Sequence, residues 1–344
     1  MTRGARAFMA DEAARILHRD SIVIDAVCPL VMNDASYLDW YRQGGITAVA
    51  PTVGGWDNAR SALKRVAGWH HVLRERNDVL LLVRRAHDIE VAKECGRLGI
   101  FLHLQGADPI EDDIDLVDLY KTLGVGVIQL TYNVKNRVGD GCEERTDAGL
   151  SRFGIQLIQR LNEARVIVDC SHTGLRTALE AVEYSSAPVI LSHANVASVH
   201  QSPRNVSNQL IDAIAQSGGV VGVAGFPAFV GATTSPTLDQ FIAHIDAIVQ
   251  RVGIDHAGLG IDYYWGQAGV ATDEEAMATY KEAVAEGRWS TAYPPPPHHY
   301  PAGIETPRTL PNLTRRLLAR GYRESDVRKI LGANWLRVMR NVWG

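Results

Sequence analysis

Two histidines stand out for where they fall. His172 in DCSH and His193 in LSHA each follow a short apolar run rich in Val and Ile. An imidazole nitrogen at a strand end is well placed to bind a divalent metal, and two on neighbouring strands can share one ion. Asp262 closes a third run, GLGID, where a carboxylate can take a proton from an attacking water or ligate a metal. Arg204, in SPRNVS after the His193 run, has the fork that holds a substrate carboxylate through paired N–H bonds. Each residue also has a plainer reading: hydrogen-bonded histidines without a metal, a helix N-cap at Asp262, a surface ion pair at Arg204. Two histidines at corresponding ends of successive runs, with Asp262 at the last, favour one shared site. His70, His71, His103, His298 and His299 lack that placement, and no GxSxG elbow or phosphate loop competes.

The elements that must position these residues are eight apolar runs, at 22–27, 46–50, 100–104, 126–130, 166–170, 189–192, 220–224 and 258–261. Each is short, as expected for strands buried on both faces. Between them lie helical patterns such as 153–163, with apolar residues at 153, 157, 158 and 161. Alternation of this kind predicts parallel βα units. A (β/α)8 barrel is favoured over a doubly wound sheet because Gln105, Tyr132, His172, His193 and Asp262 all follow runs, and a barrel gathers those ends at one mouth. The run 79–83 is expected as an extra edge strand or connecting segment. Residues 1–344 are read as a single barrel domain with a Pro-rich excursion at about 273–312, a surface connector or a wall of the mouth. Two helices broken at Gly321 are expected over 313–342.

Composition fits an ordinary globular enzyme. The chain has 344 residues, 35 Lys and Arg against 39 Asp and Glu, and is 46% hydrophobic. No basic surplus exists to neutralise nucleic-acid phosphates, and no run reaches the ~18 apolar residues of a membrane span. The four cysteines, Cys28, Cys95, Cys142 and Cys170, suit a reducing compartment, and the N-terminus reads as an amphipathic helix rather than an export signal, so the expectation is a cytoplasmic protein with a small-molecule substrate.

At these residues the sequence resembles the membrane (renal) dipeptidase family of metallohydrolases. The likeness is carried by TYN with DGCEERTDAGLSRFG, LNEARVIVDCSH, PVILSHANVASVHQSPRNVS, GLGID and LLARGYRESDVRKILGANWLRVMRNV. It implies an amidohydrolase-like (β/α)8 barrel, two zinc ions, hydrolysis of dipeptides and a homodimer. Carried over by motif, His172 and His193 are ligands of the second zinc, Arg204 the substrate-carboxylate arginine and Asp262 the catalytic aspartate. Tyr132 replaces the family's oxyanion histidine. The first zinc site is degenerate: Val27 and Pro29 stand where a histidine and an aspartate belong, and Gln105 replaces the bridging glutamate. The resemblance therefore implies a metallopeptidase-like hydrolase with a reduced site holding a single zinc ion. A metal-free enzyme of other chemistry and a non-catalytic binder of a small carboxylate are the alternatives.

Overall fold

The computed structural model describes residues 3–290 and 293–344. Ten strands are defined: β1 (Ile24–Cys28), β2 (Ala48–Gly54), β3 (Leu80–Leu82), β4 (Leu98–Ile100), β5 (Leu102–Leu104), β6 (Val125–Gln129), β7 (Ile167–Asp169), β8 (Val189–Ile190), β9 (Val221–Val223) and β10 (Ala257–Leu259). All pairings between them are parallel, running β1–β2, then β2 to both β4 and β5, then β5–β6–β7–β8. A bridge between Leu191 and Val221 carries the order on to β9, which pairs β10. Beyond β10 the chain returns to β1, where the Ile261 N–H donates to Asp25 Oδ1 at 2.8 Å and the Leu30 N–H to the Tyr263 carbonyl at 2.7 Å. With β4 and β5 as two halves of one interrupted strand, this is the strand order of a (β/α)8 barrel.

All eight runs read from the sequence appear as strands, and 79–83 supplies β3, an edge strand on β4. Helices form where the apolar period allows one buried stripe. The helix Arg152–Glu163 is capped by Ser151, whose side chain accepts the Gly154 N–H, and it buries Leu157, Ile158 and Leu161. The C-terminal region departs from expectation. After Pro311–Ala319 and Glu324–Arg328 the backbone opens into a wide turn over Lys329–Ala333 before Asn334–Trp343. That last helix packs Trp335, Met339 and Trp343 against Ile24, Ala26, Val127 and Ile167, and its indoles donate to the carbonyls of Leu259 and Gly126. Cys28 belongs to the other cluster, with Leu30 and Tyr41, although strict alternation would group it with Ile24 and Ala26; the register against β2 shifts between Asp25 and Cys28 and turns it to the other side.

The mouth end is drawn tight by glycine. A Cβ at Gly222 or Gly260 would run into the Ser192 carbonyl, so only glycine lets β9 and the end of β10 approach the loop that carries His193. No helix of the described residues is long and apolar enough to cross a membrane.

Candidate active site

His172, His193 and Asp262 each lie three residues beyond the last paired residue of β7, β8 and β10. The sequence places them at the strand ends, but the ladders stop sooner because the chain turns into the mouth. Two of those turns use left-handed backbone, with φ of 61° at His172 and 63° at Asp262. Among the described residues only Glu111 and Arg165 share a positive φ without being glycine. Such a conformation costs about 1 kcal/mol or more in a residue with a side chain. Here it aims an imidazole and a carboxylate at the same space.

The two imidazoles meet with Nε2 to Nε2 at 2.8 Å, and their partners fix both tautomers. Asn133 gives its Nδ2 to the Arg288 carbonyl at 2.8 Å and the Tyr293 hydroxyl at 2.9 Å. Its Oδ1 therefore faces His172 Nδ1, 2.6 Å away, and accepts that N–H. On the other side, Ser192 Oγ donates to Asp169 Oδ2 at 2.5 Å and must accept the His193 Nδ1–H at 2.8 Å. With both protons on Nδ1, the two Nε2 lone pairs crowd each other, an arrangement that is repulsive until a cation to one side of the line between them accepts both, as Zn–N bonds of about 2.0–2.1 Å require. Burial, followed by the nearby charge of Arg204, pushes the proton affinity of both rings well below the ordinary range.

Asp169, which the sequence analysis does not single out, organises the floor. Its Oδ1 accepts the backbone N–H groups of Ser171 (2.9 Å) and Ser192 (3.0 Å) and the Ser171 hydroxyl (2.8 Å). The buried His103 ring lies 3.3 Å from Oδ2. Burial alone would raise this carboxyl, but His103, His193 and Ser192 outweigh it and bring it down to about 2. In an Asp169→Asn variant the two backbone donors claim the amide oxygen, leaving the NH2 facing Ser192. The serine proton must then turn to His193 Nδ1, moving the ring proton to Nε2 and closing the seat. We expect a 10–100-fold loss of metal affinity in chelator competition, with an Nε2–H signal for His193 in 15N NMR and an unchanged circular dichroism spectrum.

Above the pair lies a narrow cavity of about 40 Å³, lined by Pro29, Gln105, Tyr132, His172 and Asp262 and closed by Trp289 and Tyr293. The ring of Tyr132 stacks on His172 with centroids 4.1 Å apart, and burial pushes its phenol up to about 12, so it stays a donor. Burial also raises Asp262 to about 7. Asp25 is raised by burial to about 8, and its Oδ2 has no partner. Arg204 is 3% exposed, with one N–H on the His193 carbonyl at 3.4 Å and its guanidinium over Phe229. It makes no ion pair with any described carboxylate. The surface salt bridge offered as its alternative is thus not formed. The Pro-rich excursion contributes wall rather than mere connector, since Trp289 and Tyr293 stack over the opening with centroids 4.9 Å apart; its residues 291 and 292 lie outside the described residues.

This donor set does not fit a two-metal centre. Among the described residues no group of three or more His, Cys, Asp and Glu side chains is placed to hold a metal. Val27 is buried and offers only hydrocarbon, Pro29 presents its ring to the cavity, and the Gln105 Nε2 finds no partner. The two bare Nε2 atoms do fit one ion completed by water or substrate.

The comparisons with known proteins agree with this reading of the fold. Residues 31–286 and 296–343 match the membrane dipeptidase family, Peptidase family M19. Among curated relatives, "Dipeptidase verJ" of Clonostachys rogersoniana is 27% identical over 292 residues, 83% of this chain and 66% of that protein. An "Uncharacterized protein in pqqA 5′ region" of Klebsiella pneumoniae is 30% identical over 274 residues, 77% of this chain and 89% of its own length. The match thus spans just under two thirds of the Clonostachys protein. Among solved structures, an amidohydrolase from Pseudomonas aeruginosa is 36% identical with a TM-score of 0.88, covering 96% of this chain and 99% of that one. The probable dipeptidase PvdM from the same species, at 20% identity and a TM-score of 0.82 over 97% of this chain and 98% of that one, shares the fold. With the family match running from just past the first strand to the last helix, save residues 287–295, this barrel belongs to the membrane dipeptidase family.

Proposed function

We propose that the chain is a dipeptidase-type hydrolase that cleaves an amide or peptide bond in a small carboxylate-bearing substrate, using a reduced site with one divalent ion, zinc in the first instance, at His172 and His193. The observation that carries this reading is the meeting of two buried imidazoles with Nε2 atoms 2.8 Å apart, each ring held at its Nδ1 by a buried hydrogen bond whose partner calls for the proton there. When bound there, such an ion would polarise the substrate carbonyl and acidify a water.

The chain's own residues supply the rest. Arg204, buried and without a carboxylate partner, takes the substrate carboxylate. Asp262, held near 7, accepts a proton from water as its oxygen bonds to the carbonyl carbon. It returns that proton to the leaving nitrogen as the C–N bond breaks, a double duty for which a group titrating near neutrality is suited. Tyr132, still protonated, donates a hydrogen bond to the carbonyl oxygen as negative charge builds there.

Metal analysis of the purified chain, with a panel of dipeptides and acyl-amino acids assayed under added zinc, manganese or cobalt, tests the proposal. One ion per chain is expected, lost in His172→Ala together with hydrolysis. Absence of both metal and turnover would overturn it, and two bound ions would overturn the reduced site.

A further inference from the structure

The residues that set the two tautomers differ in kind. His193 is governed from below by Asp169 and Ser192, both buried in the barrel. His172 is governed by Asn133, and Asn133 is in turn held by the wall: its Nδ2 donates to the Arg288 carbonyl and the Tyr293 hydroxyl. One fully buried amide thus joins the segment that closes the cavity to one half of the cation seat. The amide can turn by half a rotation about χ2, exchanging its oxygen and nitrogen. Only one orientation satisfies both neighbours. If the wall withdraws its carbonyl, only the weak donation of the Cys142 thiol to Oδ1, at 3.6 Å, still favours that orientation, and the flipped amide would present Nδ2–H to His172 Nδ1. The ring would then accept at Nδ1 and carry its proton on Nε2, which donates to the bare Nε2 of His193 and fills the space a cation needs.

We propose that Asn133 is a positioning residue through which the wall formed by Arg288, Trp289 and Tyr293 and the cation seat at His172 and His193 stabilise one another. The inference rests on the single-ion reading above and adds a coupling to it. Binding of the ion demands the His172 Nδ1–H tautomer, which demands the amide oxygen toward the ring, which presents the NH2 to the wall. The linkage runs equally in reverse, since a coupling free energy has no direction. A wall this close is also needed for access: about 40 Å³ holds a water or two, far less than the 300–1,000 Å³ of ordinary ligand pockets. Substrate must displace the same residues that hold Asn133.

The test uses the full chain, zinc alone as the probe, and variants that separate the two ends of the amide. Asn133→Asp keeps an acceptor for His172 Nδ1–H and loses the donor to the wall. Asn133→Leu loses both, and Tyr293→Phe removes one wall contact without touching the ring. Three readouts apply: zinc affinity by chelator competition, the His172 tautomer by 15N NMR, and hydrogen exchange of the wall with and without zinc. In the wild type, zinc should slow exchange at the wall several-fold. Asn133→Leu should weaken zinc 10–100-fold and shift His172 toward Nε2–H. Asn133→Asp should retain zinc and the Nδ1–H tautomer while zinc no longer protects the wall. Tyr293→Phe should weaken zinc by less than Asn133→Leu, with faster wall exchange. Zinc binding that protects the wall equally in Asn133→Asp, or an unchanged tautomer and affinity in Asn133→Leu, would overturn the coupling and leave the metal reading standing. A wild type that binds no zinc would instead remove that reading, and the coupling with it.

Discussion

Asp262→Asn is expected to lower kcat by about 10³, within the 10²–10⁴ range that a positioned acid or base contributes, while KM changes little. The reason is geometric: Asp262 lines the cavity on left-handed backbone but shares no ion pair with Arg204, so its loss leaves the substrate carboxylate bound. The wild-type rate should rise with pH through about 7, where burial has placed this carboxyl, because only the ionised form accepts the proton of water. In the variant that inflection should vanish. Stability should move in the opposite sense. A folded-state pKa raised above the ordinary value of 3.8 means that folding favours the protonated acid. Its contribution is fully present below about pH 4 and is lost as pH rises through about 7. Asp262→Asn should therefore melt higher than the wild type at pH 8 and about equally at pH 4, measured by thermal unfolding. A rate loss without loss of the pH inflection would assign the base elsewhere.

Much of the barrel is legible in the chain because buried parallel strands leave a compositional trace. Val and Ile runs spaced by helical periods have few other solutions. What such runs do not carry is where pairing stops. The ladders of β7, β8 and β10 end three residues short of the chemistry, and the mild preference of His and Asp for positive φ is too weak to mark which of them turn inward. Asp169 is hard to read from the chain for a related reason. Lodged in IVDCSH, it reads as the polar end of a strand, and its importance comes from Ser192 and His103 on other strands. The wall residues Trp289 and Tyr293 lie in a Pro-rich stretch, and prolines report an irregular backbone and nothing about where it lies. By contrast, that Val27 and Pro29 offer no side-chain donor and Gln105 no charge is readable from residue type alone.

Arg204 combines loss of function with gain of stability, and that combination separates a binding residue from a structural one. Its guanidinium is buried, its Nε lacks any partner, and its support is one long bond to the His193 carbonyl at 3.4 Å and the face of Phe229, 5.2 Å from the ring centroid. A buried charge with no carboxylate in contact costs several kcal/mol even after relaxation, which the longer-range attraction of Asp262 and Glu143 offsets only in part. The fold sustains that cost only because something else anchors the loop: Asn205 beside it donates to the His200 and Phe229 carbonyls at 2.8 Å. Arg204→Met keeps the unbranched stem against Phe229 and removes the charge. The variant should melt several degrees higher than the wild type. Its KM for carboxylate-bearing substrates should rise about 10²–10³-fold, or about 3–4 kcal/mol, because the substrate anion would then be desolvated against no partner. A C-terminally amidated substrate supplies the control, since it brings no charge to pair and should lose far less. Equal losses on the acid and the amide, or a lower melting point in Arg204→Met, would make Arg204 a structural cation and leave the carboxylate to be recognised elsewhere.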